Sequence, residues 1–273
     1  MPKEVSSIAK KFMHNPVEVI IGSKNAGTKN VSHEYYVVNG RERYQTLKRL
    51  SDFNPSIFSV IFCRTKRDTQ KVAENLIEDG YSAGALHGDL SQNQRDLIMK
   101  SFRNKQIQML VATDVAARGI DVDNITHVIN YQLPDEIETY THRSGRTGRA
   151  GNIGVSIIII TQSELRKIKL IEKIIQNKIL KKSIPNGEEI CFVQLNHLAK
   201  KINNTKVNSE INSFLPEFKK EINHLTKDEL IQKLASVEFL RFHNYYKNSK
   251  DLNLSVSSSS PIEFKSNKKN SIR

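Results

Sequence analysis

The chain is poor in cysteine, in acidic residues relative to basic ones, and in long apolar runs. Its 273 residues hold only Cys63 and Cys191. These lie far apart, show no metal-ligand spacing and build no disulfide framework. That usage suits a reducing, cytoplasmic compartment. The longest apolar stretch, 157–160 with Val155 nearby, is far too short to span a bilayer, so no membrane partner is expected. The opening MPKEVSSIAKKF has no apolar run of signal-peptide length. KDEL occurs at 227–230, but internally, so it is not a retention signal. Asn30-Val31-Ser32 matches a glycosylation acceptor, and nothing else points to secretion.

What the chain has in quantity is positive charge. Forty-two lysines and arginines face 29 acids, a formal net charge of +13 and a pI near 9.6. Such a balance favours polyanions, either nucleic acid or acidic lipid, and charge alone does not choose between them or exclude a merely soluble basic protein. A hydrophobic content of 38% still allows a real core.

Short apolar, β-branched runs at 31–38, 59–63, 82–86, 109–113, 127–130 and 155–160 alternate with amphipathic stretches at 42–53, 66–79, 92–102 and 134–142. This rhythm predicts an α/β fold, a parallel sheet with helices on both faces. In such sheets ligands meet the loops at the carboxyl ends of the strands. A helix over 165–180 closes this part, and Ser183-Ile184-Pro185-Asn186-Gly187 marks a boundary. Beyond it strand alternation stops, and 194–201, 210–215, 217–224 and 226–246 read as helical. Thr226 through Glu229 has the form of a capping box. The stretch 248–273, with serines at 257–260 and scattered lysines, reads as a disordered tail. The expected division is therefore 1–182 (with a linker at 1–30), 183–247 and 248–273.

Chemistry concentrates in loops. In HRSGRTGRAG, residues 142–151, Arg143, Arg146 and Arg149 recur every three residues, with Gly145 and Gly148 opposing a continuous helix. Guanidinium forks suit phosphate oxygens, and arginine fingers stabilise a transferring phosphoryl group. A solvated basic loop is the plainer reading. In LVATDVAARGIDV, residues 110–122, an apolar strand presents Thr113 and Asp114, then Arg118, Gly119 and Asp121. A hydroxyl and an arginine can bind phosphodiester oxygens, and a carboxylate can accept from ribose hydroxyls. An ordinary strand–loop with a capping Asp would look the same. Arg64-Thr65 follows one strand, and His87-Gly88 leads through Gln92 to Arg95 after another. Taken singly, His87 reads as structural and Arg95 as a solvated helix residue.

Four such loops in one order resemble the second RecA-like domain of DEAD-box ATP-dependent RNA helicases. SVIFCRTK is similar to the family's motif IV, Gln92 and Arg95 to its Q-x-x-R element, VATDVAARGIDV to motif V and YTHRSGRTGRAG to motif VI. The resemblance covers residues 1 to about 180, the opening residues 1–16 being similar to the segment after the family's S-A-T motif. It implies that Arg146 and Arg149 are fingers for the ATP γ-phosphate, and that Gly119 and Asp121 lie at the nucleotide, with Asp121 on the ribose. It implies that Arg64, Thr65, Gly88, Gln92, Arg95, Thr113 and Arg118 hold the RNA backbone, and that His142 and Arg143 serve the interface with the other RecA-like domain. A backbone grip would be sequence-independent and salt-sensitive.

The chain departs from a whole helicase in lacking both G-x-x-x-x-G-K-[ST] and D-E-A-D. The run Gly22 to Lys29 is a near miss whose last two residues are reversed and which a strand follows, so it reads as linker. The expectation is half an active site, with ATP and Mg²⁺ held mainly by an absent N-terminal RecA-like domain and little turnover alone. The stretch 184–246 resembles the helical extension of cold-shock-type bacterial members, where it mediates homodimerisation. Its apolar stripe of Leu230, Ile231, Leu234, Val237, Phe239 and Leu240 fits either that role or a cap on the chain's own sheet. The alternative to an enzyme half is a freestanding, non-catalytic RNA-binding and dimerisation module.

Overall fold

A computed structural model of the chain describes residues 11–13 and 30–254. The near-miss loop at 22–29, most of the linker and residues 255–273 lie outside the described residues. The first part is a seven-stranded, all-parallel sheet with strands β1 (Val31–Val37), β2 (Ser59–Phe62), β3 (Ala83–Leu86), β4 (Met109–Ala112), β5 (His127–Asn130), β6 (Gly154–Ile160) and β7 (Leu180–Lys181). Their order is β3-β4-β2-β5-β6-β1-β7. Helices α1 (Arg43–Asp52), α2 (Lys66–Glu78), α3 (Gln92–Arg103), α4 (Thr139–Ser144) and α5 (Leu165–Ile175) connect the strands.

Alternation along the strands divides the core in two. Ile61, Val111, Ile129, Ile157 and Ile159 pack with Leu47, Leu50, Val72 and Leu76 under α1 and α2. Their neighbours in the chain face the other way. Val60, Phe62, Leu110 and Val128 pack with Phe102 of α3, and Ile158 and Ile160 pack with Tyr140 of α4 and Ile168, Ile171 and Ile175 of α5. A strand covered on both faces must be apolar throughout, which is why β2 and β4 have no exposed residue. Cys63, at the end of β2, is fully buried, and burial pushes its thiol up to about 12.

Several expectations need correction: the stretch at 134–142 is helical only from Thr139, and 210–215 begins as a 3₁₀ turn over Ser209–Ser213. The helix expected at 165–180 ends at Ile175, because Gln176 turns into the left-handed region at φ 53°. Glu172 then accepts from the Ile179 N–H at 2.9 Å, and the chain returns as the edge strand β7 beside β1. The helix expected at 194–201 is much longer: α6 (Gly187–Asn204) starts where Asn186 and Glu189 cap each other's backbone N–H groups. The tail does not begin at 248. Leu252 is buried in the core under α1, and Asn253 exchanges hydrogen bonds with Ile184 at 2.7 and 3.0 Å.

The extension continues with α7 (Leu215–Ile222) and α8 (Lys227–Tyr246). Helices α6 and α8 share a small core of Ile190, Cys191, Phe242 and Tyr246. The end of α1 grips this pair. The Asp52 carboxylate accepts from the hydroxyls of Tyr81 and Tyr246, and its carbonyl accepts from the Gln194 amide. Arg49 donates to Ser249 Oγ at 3.0 Å and to the Lys250 carbonyl at 2.7 Å. Burial raises the Asp52 carboxyl pKa, and the two phenols and Lys48 oppose that shift. Much of the apolar stripe of α8 is left in solvent, with Val237 at 75% exposure.

Removing one donor from a buried carboxylate should cost about 1.5–3 kcal/mol. Tyr246→Phe is expected to destabilise the chain by that amount, and Asp52→Ala by more, measured by urea unfolding; equal stability of all three proteins would show that the junction is loose. A second test uses His33, whose Nδ1 lies 2.7 Å from Tyr140 Oη. Burial lowers the pKa of His33, and of His127, from 6.5 to about 4. The folded state then stays neutral where the unfolded chain binds protons, so stability is full above pH 6.5 and falls towards pH 4. The loss should reach up to about 1.4 kcal/mol per pH unit for each histidine. Urea midpoints across that range measure it, and His33→Gln should flatten the slope.

Candidate nucleotide and nucleic-acid interface

Parallel strands deliver their following loops to one rim of the sheet, and most of the expected site residues lie there. Arg64 follows β2: its N–H donates to Gln132 Oε1 at 2.9 Å and its guanidinium reaches Asp135 at 3.2 Å. Thr65 is the N-cap of α2, accepting from the Asp68 N–H and donating to the Asp68 carboxylate at 2.9 Å. Gly88 follows β3 against the end of Lys66, which is ion-paired with Asp89. Gln92 opens α3 and donates within it to Asp96. Arg95, one turn on, points across to the Ala116 carbonyl at 3.4 Å. Thr113 ends β4 with its hydroxyl turned back to the Ala116 N–H. The loops after β2, β3 and β4 thus form one continuous surface.

The arginine run is arranged differently. It leaves the rim as α4 and crosses the face of the sheet to the opposite edge, where Thr147 donates to the Ile125 carbonyl. Gly148 has φ +69° there, and a Cβ on it would lie 2.6 Å from Val31 Cγ2, so only glycine fits. The arginine run is thus the motif that departs from the strand-end rim. All three arginines bond to the segment after β4. Arg143 forms a bidentate pair with Asp114 at 2.6 and 2.7 Å. Arg146 donates to the Ile120 carbonyl at 2.8 Å, and Arg149 to Asp121 at 2.8 Å. Gly119, at φ +78°, makes the left-handed turn that presents Ile120 and Asp121.

Burial separates these arginines. The Arg143 side chain is 1% exposed, and it also donates to Asn130 Oδ1 at 3.0 Å and to the Gln132 carbonyl at 2.8 Å, over the face of Phe62. Its donors are spent inside the domain, and it forms the back wall of the site. The Arg149–Asp121 pair is open, with Asp121 87% exposed. A surface pair of this kind is worth at most about 1 kcal/mol and exchanges readily for another anion. Partial burial, and then the nearby charge of Arg149, lower the Arg146 pKa, while Asp121 works the other way. An incoming anion would relieve both effects. Arg146 also lines a cleft of about 430 Å³ with Arg118, His142, Arg143 and Asp114.

The sequence presented Asp114 without a role and did not single out Asn130 or Gln132, the other partners that hold Arg143. Their signal was positional: each is a polar residue at the carboxyl end of an otherwise apolar strand. Pro134, Asp135, Glu136 and Thr139, the other wall of the cleft, follow β5 in the same way. Among the described residues, no group of three or more His, Cys, Asp or Glu side chains could hold a metal ion, and no helix is long and apolar enough to cross a membrane.

Comparison with known proteins bears on this arrangement. Residues 42–151 match the helicase conserved C-terminal domain, and residues 190–247 match the helical domain described as that of a probable ATP-dependent RNA helicase. The chain is 40% identical over 189 residues to the ATP-dependent RNA helicase CshA of Limosilactobacillus reuteri, covering 69% of this chain and 38% of that protein. It spans about two fifths of the length of the curated relatives it matches. Among solved structures it resembles the E. coli DEAD-box protein SrmB bound to regulator of ribonuclease activity A, at 30% identity and a TM-score of 0.54, over 59% of this chain and 94% of that one. It also resembles S. cerevisiae Dbp5 bound to RNA and ADP BeF3, at 27% identity and a TM-score of 0.63, over 71% of this chain and 52% of that one. With its parallel RecA-like sheet and the helical domain that follows, the chain belongs to the DEAD-box RNA helicases and spans their conserved C-terminal helicase domain.

Proposed function

We propose that this chain supplies the arginine-bearing half of an ATP-dependent RNA helicase. The observation that carries this reading is the unequal burial of three evenly spaced arginines. Arg143 is locked to Asp114, and that lock holds Arg146 and Arg149 at the surface with weak, exchangeable partners. In this reading Arg146 and Arg149 meet the γ-phosphate of ATP, whose Mg²⁺ is held by another RecA-like domain. Asp121 and Gly119 sit at the ribose side. Arg64, Thr65, Gly88, Gln92, Arg95, Thr113 and Arg118 line the RNA path, and His142 faces the partner domain. When the two domains close on ATP and RNA, the bound strand is held in a form its complement cannot pair with, and short duplexes open locally. Arg143 acts as a positioning residue within the domain, which refines the interdomain role that the resemblance implied for it.

The division into a helicase domain to 182 and a helical extension over 183–247 belongs to the same reading. The extension would pair two copies of the chain. The exposure of Ile231, Leu234, Val237 and Leu240 on α8 supports pairing over a cap on the chain's own sheet.

The direct test is RNA-stimulated ATP hydrolysis by the chain, alone and mixed with a first RecA-like domain carrying G-K-T and D-E-A-D. Turnover is expected only in the mixture, and Arg146→Ala or Arg149→Ala should lower it about 10³-fold or more. Robust hydrolysis by the chain alone, or unchanged rates in the variants, would overturn the assignment. Asp114→Ala leaves a buried arginine unpaired and should cost about 3–5 kcal/mol of stability in thermal or urea unfolding. Light scattering should give a dimer mass for the chain and a monomer mass for Leu234→Glu/Val237→Glu; a monomer in both would refute pairing.

A further inference from the structure

The net charge is unevenly spread. Residues 183–254 hold ten lysines and arginines against nine acids, so the extension is nearly neutral. Residues 164–182, which include α5 and β7, hold seven against two. Neither acid answers that charge. Glu164 is paired with Arg43 and caps Thr161, and Glu172 accepts from the Ile179 N–H. Lys182 reaches Glu34 at 3.7 Å, and among the described residues none of Arg166, Lys167, Lys169, Lys173, Lys178 or Lys181 has an ion-pair partner.

The helix organises these cations. Ile168, Ile171 and Ile175 point into the sheet, so Arg166, Lys169 and Lys173 fall on the outward face at i, i+3 and i+7. At 1.5 Å per residue they make an exposed row about 10 Å long. Arg166 stands near the rim where β6 ends, the rim that carries the loops after β2, β3 and β4. Helix α5 lies on the same face of the sheet as α3 and α4. The extension packs on the other face, through Ile184, Leu252 and Gln194, and Leu254 beyond it reaches the α5 cluster, while Arg166, Lys169 and Lys173 stay exposed.

We propose that the Arg166–Lys169–Lys173 row is a second contact for the RNA backbone, engaged by strands long enough to cross the sheet from the loop surface. The proposal rests on the reading that the rim loops hold RNA. Helix α5 lies over β6 and β1, three to four strand spacings from β4, about 14–19 Å. A short oligonucleotide filling the loops would end before the row, and a longer one would be drawn along it. A lipid surface fits less well, because the apolar face of α5 is spent on the sheet and only Leu170 and Leu180 remain exposed, too few for an inserting face. Protection of the β7 edge accounts for Lys178, Lys181 and Lys182 but not for a row on the helix.

The test uses the whole chain and two single-stranded RNAs, of about six and about twenty nucleotides, with affinity followed against salt. Each phosphate contact on a single strand adds about 0.7 to the slope of log affinity on log salt. Arg166→Gln/Lys169→Gln/Lys173→Gln should lower the slope for the long RNA by about 2 and its affinity at low salt about 10-fold or more. Binding of the short RNA should not change. Lys200→Gln/Lys219→Gln/Lys220→Gln removes as much exposed charge from the extension and should change neither. An unchanged long-RNA slope, an equal loss in the extension variant, or a row needed for anionic vesicles or an acidic peptide but not for RNA would overturn the proposal. Arg95→Gln/Arg118→Gln separates it from the underlying reading, since that change should weaken both RNAs. If it weakened neither while the row variant acted, the loop assignment would fall and the row would stand.

Discussion

The site depends on one buried ion pair. A guanidinium enclosed to 99% tolerates burial only if its donors are met, and Asp114, Asn130 and the Gln132 carbonyl meet them. These partners come from the ends of β4 and β5, so Arg143 joins two strands to α4. A pair of this kind is a weak source of net stability, because desolvation cancels much of its attraction. What it supplies is position: with Arg143 fixed, the next six residues have one path across the sheet. Thr147 and Gly148 then pin the far end of that path against Ile125 and Val31. Arg146 is carried between two fixed points and Arg149 follows directly after the second, so both start with little freedom left to lose.

The junction with the extension follows a similar logic with different chemistry. Asp52 is a carboxylate in a place where burial disfavours its charge, and two phenols and an amide gather on its residue. Arg49 and Lys48, on the same turn of α1, lie over the rings of Tyr246 and Tyr245. One helix end therefore carries most of the polar contact between the sheet and the helices after it. The apolar contribution at this boundary is small, from Ile184 and Leu252. Such an interface specifies one docking angle.

Six of the seven strands were legible as short, mostly apolar runs, each within a residue of its observed limits, and most clearly at β2 and β4, which are buried on both faces. The seventh was not. Leu180–Lys181 is two residues long and exposed, and its pairing with β1 depends on the turn at Gln176 rather than on any pattern of its own. The start of α6 was hidden by a Pro-Asn-Gly sequence that reads as a loop, although Asn186 and Glu189 form a capping box. At the site, regular spacing made the three arginines look equivalent. Their difference comes from Asp114, 29 positions away, which only the folded sheet brings to Arg143. The junction at Asp52 was illegible for the same reason, since Tyr81, Gln194 and Tyr246 reach it from three separate segments.

The strand order also bears on how the chain is made. β1 is synthesised first among the strands, yet it lies between β6 and β7, the last two. Its backbone has no neighbour until residue 154 has emerged from the ribosome, and its outer edge waits for Leu180. The core under α1 waits longer, for Ile184 and Leu252. At about 5–20 residues per second, the early strand is exposed for several seconds while its partners are translated. The nascent chain must carry β1 without its sheet neighbours until β6 is made, which gives molecular chaperones a window on a segment the finished fold hides.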